Sequence, residues 1–186
     1  MDQSEKKLAK RIGKGFFWLL AGAGVVGLCA LFLLLIAGVS FFSISGDSMS
    51  PTLKSGDAVV LNQSKEIKRD ELIFFSKPNG WDYLTEKFKD DGKVVVKRIT
   101  AIPGDTISFD GQSFQVNGKE VFNNTSYPCA DGPKDFSEEL EENEFFVMGD
   151  NAGVSLDSRR VFCDGREDFL ILKKNVVDYG TVRFKF

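Results

Sequence analysis

The feature that most constrains this 186-residue chain is a long apolar run near its N-terminus. No charged residue occurs between Gly15 and Gly46, and residues 16–39 are almost wholly apolar. A membrane hydrocarbon core of about 30 Å needs roughly 20 helical residues, so the run is long enough to span it. A buried core helix and a cleaved secretory signal are alternatives, but the run is apolar all round and exceeds the usual signal length of about 7–15 apolar residues. We expect an uncleaved transmembrane anchor over residues 16–42.

The charges beside this run predict its orientation. Basic residues outnumber acidic ones before it, with Lys6, Lys7, Lys10, Arg11 and Lys14 against Asp2 and Glu5. An excess of Lys and Arg tends to stay cytoplasmic. We therefore expect a cytoplasmic tail over residues 1–15 and an extracytoplasmic domain over residues 43–186.

The chain contains no histidine, and its net charge is −3. A Ser-His-Asp triad, a Cys-His dyad and an imidazole metal site are therefore excluded, and three cysteines cannot form a four-thiolate zinc site. The acidic balance argues against a broad nucleic-acid-binding surface. Any general base must be Lys, Asp, Glu, Tyr or a thiolate.

The outer domain has the pattern of a mainly β fold. Short runs rich in Val, Ile and Phe, bounded by turn signals, predict strands at Ala58–Leu61, Leu72–Phe75, Lys93–Ile102, Thr106–Phe109, Ser113–Val116, Phe145–Met148 and Val176–Phe184. Asp110-Gly111 and Asn117-Gly118 are typical of type I′ hairpin turns. We expect a mostly antiparallel meander, with residues 123–143 as a polar excursion from the sheet.

Two cysteines lie in the outer domain, and Cys29 lies within the apolar run. Outside the membrane a disulfide can persist. A Cys129–Cys163 bridge is therefore a hypothesis, with two free thiols as the alternative.

Three short stretches carry the candidate chemistry. The first surrounds Ser48, between Gly46 and Pro51. A serine on a tight, exposed turn with free backbone N–H groups nearby suits a nucleophile beside an oxyanion site. The alternative is an ordinary loop, since Ser, Gly and Pro are common in turns.

The second stretch places Lys97 in a predicted apolar strand that runs into Pro103-Gly104-Asp105. A lysine with the reference pKa of about 10.4 is neutral in only about one molecule in 2,500 at pH 7, so a lysine base requires strong desolvation. The neighbouring Arg98 cannot serve, because a guanidinium is effectively never deprotonated. The alternative is a lysine that points to water from one face of the strand.

The third stretch, Met148 to Arg159, contains Gly, Asp and Asn and predicts a turn. Asp157 and Arg159 could form an ion pair that fixes this loop.

Together the three stretches resemble bacterial type I signal peptidases, which are membrane-anchored serine proteases with a Ser-Lys dyad. The shared pattern is Ser-Met-x-Pro-Thr-Leu, then a Lys-Arg strand before Pro-Gly-Asp, then Gly-Asp-Asn before Ser-x-Asp-Ser-Arg, all after a membrane span. The resemblance implies that Ser48 is the nucleophile and Lys97 the general base. It also implies that Ser155 orients Lys97 through a hydrogen bond, and that Asp157 and Arg159 form a structural ion pair.

The chain departs from the family pattern at two positions, and the resemblance implies one further set of site residues. Gly46 stands where some members have a serine that adds an oxyanion donor to the backbone N–H of Ser48. Ala152 stands where many members have arginine. Positions that match shallow substrate pockets, with ordinary core residues as the alternative, are Ile44, Met49, Leu53, Val95 and Val96.

The implied activity is removal of signal peptides from exported preproteins at Ala-x-Ala-like sites, through an acyl-enzyme. It requires no metal and no cofactor, and the implied partners are signal peptides and the lipid bilayer, without nucleic acid. We expect a monomer, single-pass in the bacterial cytoplasmic membrane, with the catalytic domain outside. Three alternatives are a conjugation-system processing peptidase with one dedicated substrate, a self-cleaving SOS-response repressor, which the span disfavours, and a non-enzymatic membrane-tethered β binding domain.

Overall fold

This computed structural model describes residues 21–30, 32–33, 39–78, 81, 94–123, 129 and 135–186. The chain divides into two units, Met1–Val39 and Ser40–Phe186. In the first unit, residues 21–30 and 32–33 are helical and exposed. No helix within the described ranges is long and apolar enough to cross a membrane. The predicted tail, residues 1–15, and parts of the predicted anchor lie outside the described residues.

The second unit is built from antiparallel strands. In chain order they are β1 (Val39–Ser43), β2 (Ala58–Gln63), β3 (Leu72–Ser76), β4 (Val94–Ala101), β5 (Thr106–Phe109), β6 (Ser113–Val116), β7 (Lys119–Asn123), β8 (Phe136–Glu139), β9 (Glu144–Met148), β10 (Ile171–Leu172) and β11 (Val176–Lys185). A short helix, Ser158–Cys163, lies between β9 and β10. The mainly β, antiparallel prediction is confirmed. Each predicted run coincides with a strand, except that Ile102 lies just after β4 and Lys93 lies outside the described residues.

The larger sheet has seven strands in the order β1-β2-β11-β3-β4-β9-β10. This order is not a simple meander, because the last strand of the chain lies between β2 and β3. β1 begins at Val39 and therefore overlaps the last residues of the range predicted for the anchor. In the centre of the sheet, Ile73 of β3 is the register partner of Lys97 of β4.

The smaller sheet has the order β7-β6-β5-β8, and its two hairpins turn differently. At Asn117-Gly118 both φ values are positive, +52° and +75°, as a type I′ turn requires. At the other hairpin only Gly111 has a positive φ. The Asp110 carboxylate instead accepts the backbone N–H groups of Gln112 and Ser113, so the type I′ prediction is wrong there.

β8 lies inside the segment predicted to leave the sheet. It pairs with β5, and its Phe136 ring packs at 5.0 Å from the ring of Phe162 and at 5.5 Å from that of Phe169. Leu140, just after β8, is buried. Residues 136–140 therefore belong to the sheet and core. The packing of these apolar side chains holds the segment there, although acidic residues surround them. Residues 124–128 and 130–134 lie outside the described part of the chain.

Two apolar clusters support the site. The larger one is rich in phenylalanine and includes Val161 and Phe162 of the short helix, and the smaller one includes Met49 and Leu53. Cys163, at the end of that helix, is disulfide-bonded to Cys129, with their Cα atoms 4.5 Å apart.

Candidate active site

The structure brings Ser48 and Lys97 together, although 49 residues separate them in the chain. Ser48 lies in the turn at residues 48–52, and Lys97 lies in the middle of β4. The Lys97 Nζ atom donates a hydrogen bond to Ser48 Oγ at 2.8 Å and another to the Val96 carbonyl at 3.0 Å. This is the direct contact that a nucleophile and its base need.

Lys97 is a buried lysine, with 3% of its surface exposed. The alternative of a side chain that points to water is therefore wrong. The position of Lys97 in its strand explains this burial. Its side chain points to the opposite face of β4 from that of Val96, and it lies beside Ile73 of β3, which is fully buried. Ser48 is half-buried, so the pair is closed on the Lys97 side and reachable at Ser48.

A loop after β9 contacts the backbone around Ser48. The Asn151 backbone N–H donates to the Ser48 carbonyl at 2.9 Å, and Asn151 Nδ2 donates to the Asp47 carbonyl at 3.1 Å. The Asn151 carbonyl accepts the Ser155 N–H at 3.0 Å. Sequence reasoning did not single out Asn151, although the Gly-Asp-Asn motif that contains it was the available signal.

Arg98 and Asp150 form a second link between β4 and this loop. Arg98 Nε and Nη2 contact the two Asp150 carboxylate oxygens at 2.8 and 2.6 Å. Burial alone would raise the pKa of Asp150, but the paired guanidinium and a hydrogen bond from Thr52 hold that pKa below its usual range. This pair was also missed from the sequence, because its partners lie 52 residues apart.

The predicted ion pair between Asp157 and Arg159 is present and buried, with side chains 1% and 6% exposed. Arg159 Nε and Nη2 donate to the carboxylate at 3.0 and 2.5 Å, and the Gly149 N–H donates to it at 2.8 Å. Burial would raise the pKa of Asp157, but Arg159 outweighs it and holds the pKa below its usual range. The guanidinium also lies over the Phe122 ring, 4.2 Å from its centroid. Asp157 is in addition the N-cap of the short helix, where its side chain accepts the Arg159 N–H.

Ser155 is buried beside this pair, with 5% of its surface exposed. Its hydroxyl lies next to the Asp157 carboxylate and helps to lower the Asp157 pKa, whereas the hydrogen bond to Lys97 that the resemblance implies is not found among the described residues. Gly149 packs directly against it, because a Cβ at Gly149 would lie 2.1 Å from Ser155 Oγ and 2.6 Å from the Ser48 carbonyl oxygen.

Gly46 has a positive φ of +83°, a conformation that glycine adopts without steric cost. Its N–H donates to Ser55 Oγ at 3.3 Å. Just before it, Ile44 forms backbone hydrogen bonds with Asp57 and Gly56. The segment that leads into Ser48 is thus also held by contacts with residues 55–57.

The five positions matched to substrate pockets fall into two groups. Ile44, Met49 and Leu53 are at most 5% exposed and form part of the smaller apolar cluster. Val95 and Val96 are half-buried, and they pack against the larger and the smaller cluster, respectively. Within the described ranges, no group of three or more His, Cys, Asp or Glu side chains could hold a metal ion.

Several known proteins are similar to this chain. The signal peptidase I V of Bacillus subtilis is 30% identical over 160 residues, covering 77% of this chain and 87% of that protein. The signal peptidase I S of the same organism is 29% identical over 184 residues, covering 90% and 89%. A crystal structure of a signal peptidase I from Enterococcus faecalis aligns with a TM-score of 0.40 and 22% identity, over 63% of this chain and 98% of that one. The family described as signal peptidase, peptidase S26, matches residues 17–185, and the chain belongs to this family.

Proposed function

We propose that this protein removes signal peptides from exported preproteins, with Ser48 as the nucleophile and Lys97 as the general base. The observation that carries the proposal is the 2.8 Å contact between Lys97 Nζ and Ser48 Oγ, made by a lysine that is 3% exposed. Membership of the signal peptidase family supplies the substrate class.

The reaction follows from the properties of the two groups. Burial disfavours the charged ammonium, so a neutral Lys97 can accept the Ser48 proton as the serine oxygen attacks the peptide carbonyl. The C–N bond then breaks, and the departing amine takes the proton from Lys97. Water, deprotonated in turn by Lys97, attacks the acyl-enzyme; the ester C–O bond breaks, and Lys97 returns the proton to the Ser48 oxygen.

The oxyanion of each tetrahedral intermediate needs donors close to Ser48. We assign one of these to the backbone N–H of Ser48. The family resemblance assigns to Ser155 the orientation of Lys97, although the two side chains make no hydrogen bond in this structure, and the Asp157–Arg159 pair fixes the loop that carries Ser155. The Gly149 N–H contact to Asp157 connects the same ion pair to the backbone beside Ser48.

The substrate segment before the cleaved bond lies extended beside the catalytic residues. It adds as a strand between the segment before Ser48 and the strand before Lys97, so that main-chain hydrogen bonds align the scissile carbonyl. The side chains of an Ala-x-Ala site face the surfaces made by Ile44, Met49, Leu53, Val95 and Val96. Ile44, Met49 and Leu53 are at most 5% exposed, so they can contribute only the floor of a shallow pocket, which suits small side chains.

The long apolar run supports a membrane location. We propose a cytoplasmic tail over residues 1–15, an anchor within residues 16–42 that ends before β1, and an outer catalytic domain in the bacterial cytoplasmic membrane. Ser48 then follows the residue before β1 by only ten positions. Enzyme and preprotein meet near the outer membrane surface.

Cleavage of a preprotein with an Ala-x-Ala site by the detergent-solubilised full chain tests this proposal. Ser48→Ala and Lys97→Met should abolish cleavage, and the exposed Ser137→Ala and Lys68→Met serve as matched controls that should keep it. Circular dichroism establishes that every variant is folded. A folded wild type that cuts no general preprotein contradicts the proposal and favours a dedicated substrate, whereas a folded Ser48→Ala that still cuts removes Ser48 from the reaction.

A further inference from the structure

We propose that Asn151 is a positioning residue, whose side-chain amide holds the backbone before Ser48 so that the serine hydroxyl stays against Lys97. The proposal deepens the proposed function and rests on the Ser48–Lys97 pair. It assigns to Asn151 a role apart from the ion pairs on either side of it in the sequence.

Asn151 contacts two successive carbonyl groups at the nucleophile. Its Nδ2 atom donates to the Asp47 carbonyl at 3.1 Å, and its backbone N–H donates to the Ser48 carbonyl at 2.9 Å. These hydrogen bonds join parts of the chain about a hundred residues apart, since 104 positions separate Asn151 from Asp47. One residue therefore contacts the peptide units on both sides of the Ser48 Cα atom, and at the Asp47 carbonyl its amide adds to the Ser50 backbone N–H, which donates at 3.0 Å.

The same residue also connects the nucleophile to the next part of the site. The Asn151 carbonyl accepts the backbone N–H groups of Ser155 and Val154, at 3.0 and 3.3 Å. The loop that carries Ser155 thus begins at the residue that holds Ser48. A shift of Asn151 would displace both serines relative to Lys97.

The turn that carries Ser48 is buried after the nucleophile and exposed before it. Met49 and Leu53 are buried and joined by a backbone hydrogen bond of 2.9 Å, which fixes the turn after Ser48. Gly46 and Asp47, which precede the nucleophile, are exposed. The contact from Asn151 Nδ2 reaches this exposed side, where a displacement of about 1 Å is enough to lower a reaction rate about 100-fold.

The chemistry of the amide separates a positioning role from simple space-filling. An aspartate has nearly the same shape as asparagine, but an ionised carboxylate is an acceptor without a donor. Asn151→Asp therefore keeps the volume and the backbone N–H contact, and it places a carboxylate oxygen where Nδ2 meets the Asp47 carbonyl. Asn151→Ala removes the donor without adding repulsion.

The first measurement is kcat and KM for preprotein cleavage by the full chain and its variants, at a temperature where circular dichroism shows each to be folded. We expect kcat to fall about tenfold in Asn151→Ala and further in Asn151→Asp, with KM within about twofold of wild type. Asn143→Ala, an exposed asparagine in the turn before β9, is the matched control and should leave both constants unchanged. A side chain that only fills space gives the opposite order, with Asn151→Asp close to wild type, and that result would overturn the proposal.

A second measurement needs no substrate and separates this proposal from the proposed function. The titration of Lys97, followed by NMR at its 13C-labelled Cε, should move when Ser48→Ala removes its hydroxyl partner. If Asn151 holds Ser48 in place, Asn151→Ala, which adds no charge near the lysine, should move the Lys97 titration toward that of Ser48→Ala, while Asn143→Ala leaves it as in wild type. An Asn151→Ala titration equal to that of wild type contradicts the positioning role even if the wild type cuts preproteins. A wild type without preprotein cleavage contradicts the proposed function alone.

Discussion

Arg98 and Asp150 form a two-point ion pair, with nitrogen to oxygen distances of 2.8 and 2.6 Å. Arg98 directly follows Lys97 in β4, and Asp150 directly precedes Asn151. The pair therefore ties the strand that carries the lysine to the loop that contacts the Ser48 backbone. A bidentate pair fixes orientation as well as distance, which a single hydrogen bond does not.

Breaking this pair should affect stability and activity together. In Asp150→Asn the Arg98 guanidinium, 29% exposed, loses its anionic partner, and we expect the free energy of unfolding to fall by about 1–3 kcal/mol. The preprotein cleavage rate should fall as well. Asp70→Asn is the control, because Asp70 contacts Arg98 through its backbone carbonyl, which the substitution keeps. Denaturant titration and cleavage assays check both effects. Equal losses of stability and activity in the two variants would contradict the role assigned to the Arg98–Asp150 pair.

Two ion pairs of the same spacing allow a matched test of burial. Asp157–Arg159 is buried, whereas the side chains of Asp168 and Arg166 are 39% and 37% exposed. Asp157→Asn leaves Arg159 as an uncompensated buried charge, with an expected cost of about 3–5 kcal/mol. Asp168→Asn should cost less than about 1 kcal/mol, because solvent screens the pair. Thermal unfolding measures both, and a similar loss in the two variants would show that burial is not what makes the first pair important.

Gly149 and Gly153 allow a second matched comparison. A Cβ at Gly149 would lie 2.1 Å from Ser155 Oγ and 2.6 Å from the Ser48 carbonyl oxygen, whereas a Cβ at Gly153 meets nothing within 4 Å. We expect Gly149→Ala to lower kcat at least tenfold, because the backbone of the nucleophile must move. Gly153→Ala should retain wild-type cleavage. An active Gly149→Ala enzyme would mean that the loop can move without disturbing Ser48.

The sequence predicts the catalytic residues of the site better than the contacts that hold them in place. Ser48 and Lys97 each lie in a short motif whose residue types limit the possible reactions, so both could be assigned before any contact was known. The Arg98–Asp150 pair depends on the register between β4 and β9, where Arg98 is opposite Met148, and local patterns do not determine that register. The contact between Asn151 and Asp47 is equally non-local.

The same distinction between local sequence patterns and long-range contacts applies to the fold. The strand periodicity of β2 to β6 is visible in the sequence, but the place of β11 between β2 and β3 is a long-range pairing. β8 was missed because its polar residues dominate the composition, although Phe136 anchors it in the aromatic core. Single apolar side chains in a polar segment have no periodic signal.

Acid should destabilise the outer domain through its paired carboxylates. Burial alone would raise the pKa values of Asp105, Asp150 and Asp157, but the paired arginines hold all three below the usual range. The stabilisation from each is complete above the unfolded-state pKa of about 3.9 and is lost as pH falls through the lower native pKa. We expect the free energy of unfolding to decrease below about pH 4 and to depend less steeply on pH in Asp105→Asn. Asp105 is paired with Arg69. Denaturant titrations across pH 2–6 check this, and an equal slope in the variant and wild type would contradict the role of that pair.

The Cys129–Cys163 disulfide should stabilise the folded state by about 3–4 kcal/mol, because it closes a loop with a sequence separation of 34 residues. It joins the segment at residue 129 to the end of the short helix, whose N-cap is Asp157. Reduction should therefore lower the unfolding temperature, and the Cys129→Ser/Cys163→Ser double variant should unfold at the reduced temperature with or without reductant. Thiol alkylation followed by mass measurement provides the control. Unreduced wild type should label at Cys29 alone after unfolding, because Cys29 is a free cysteine, and labelling of three thiols would contradict the bridge.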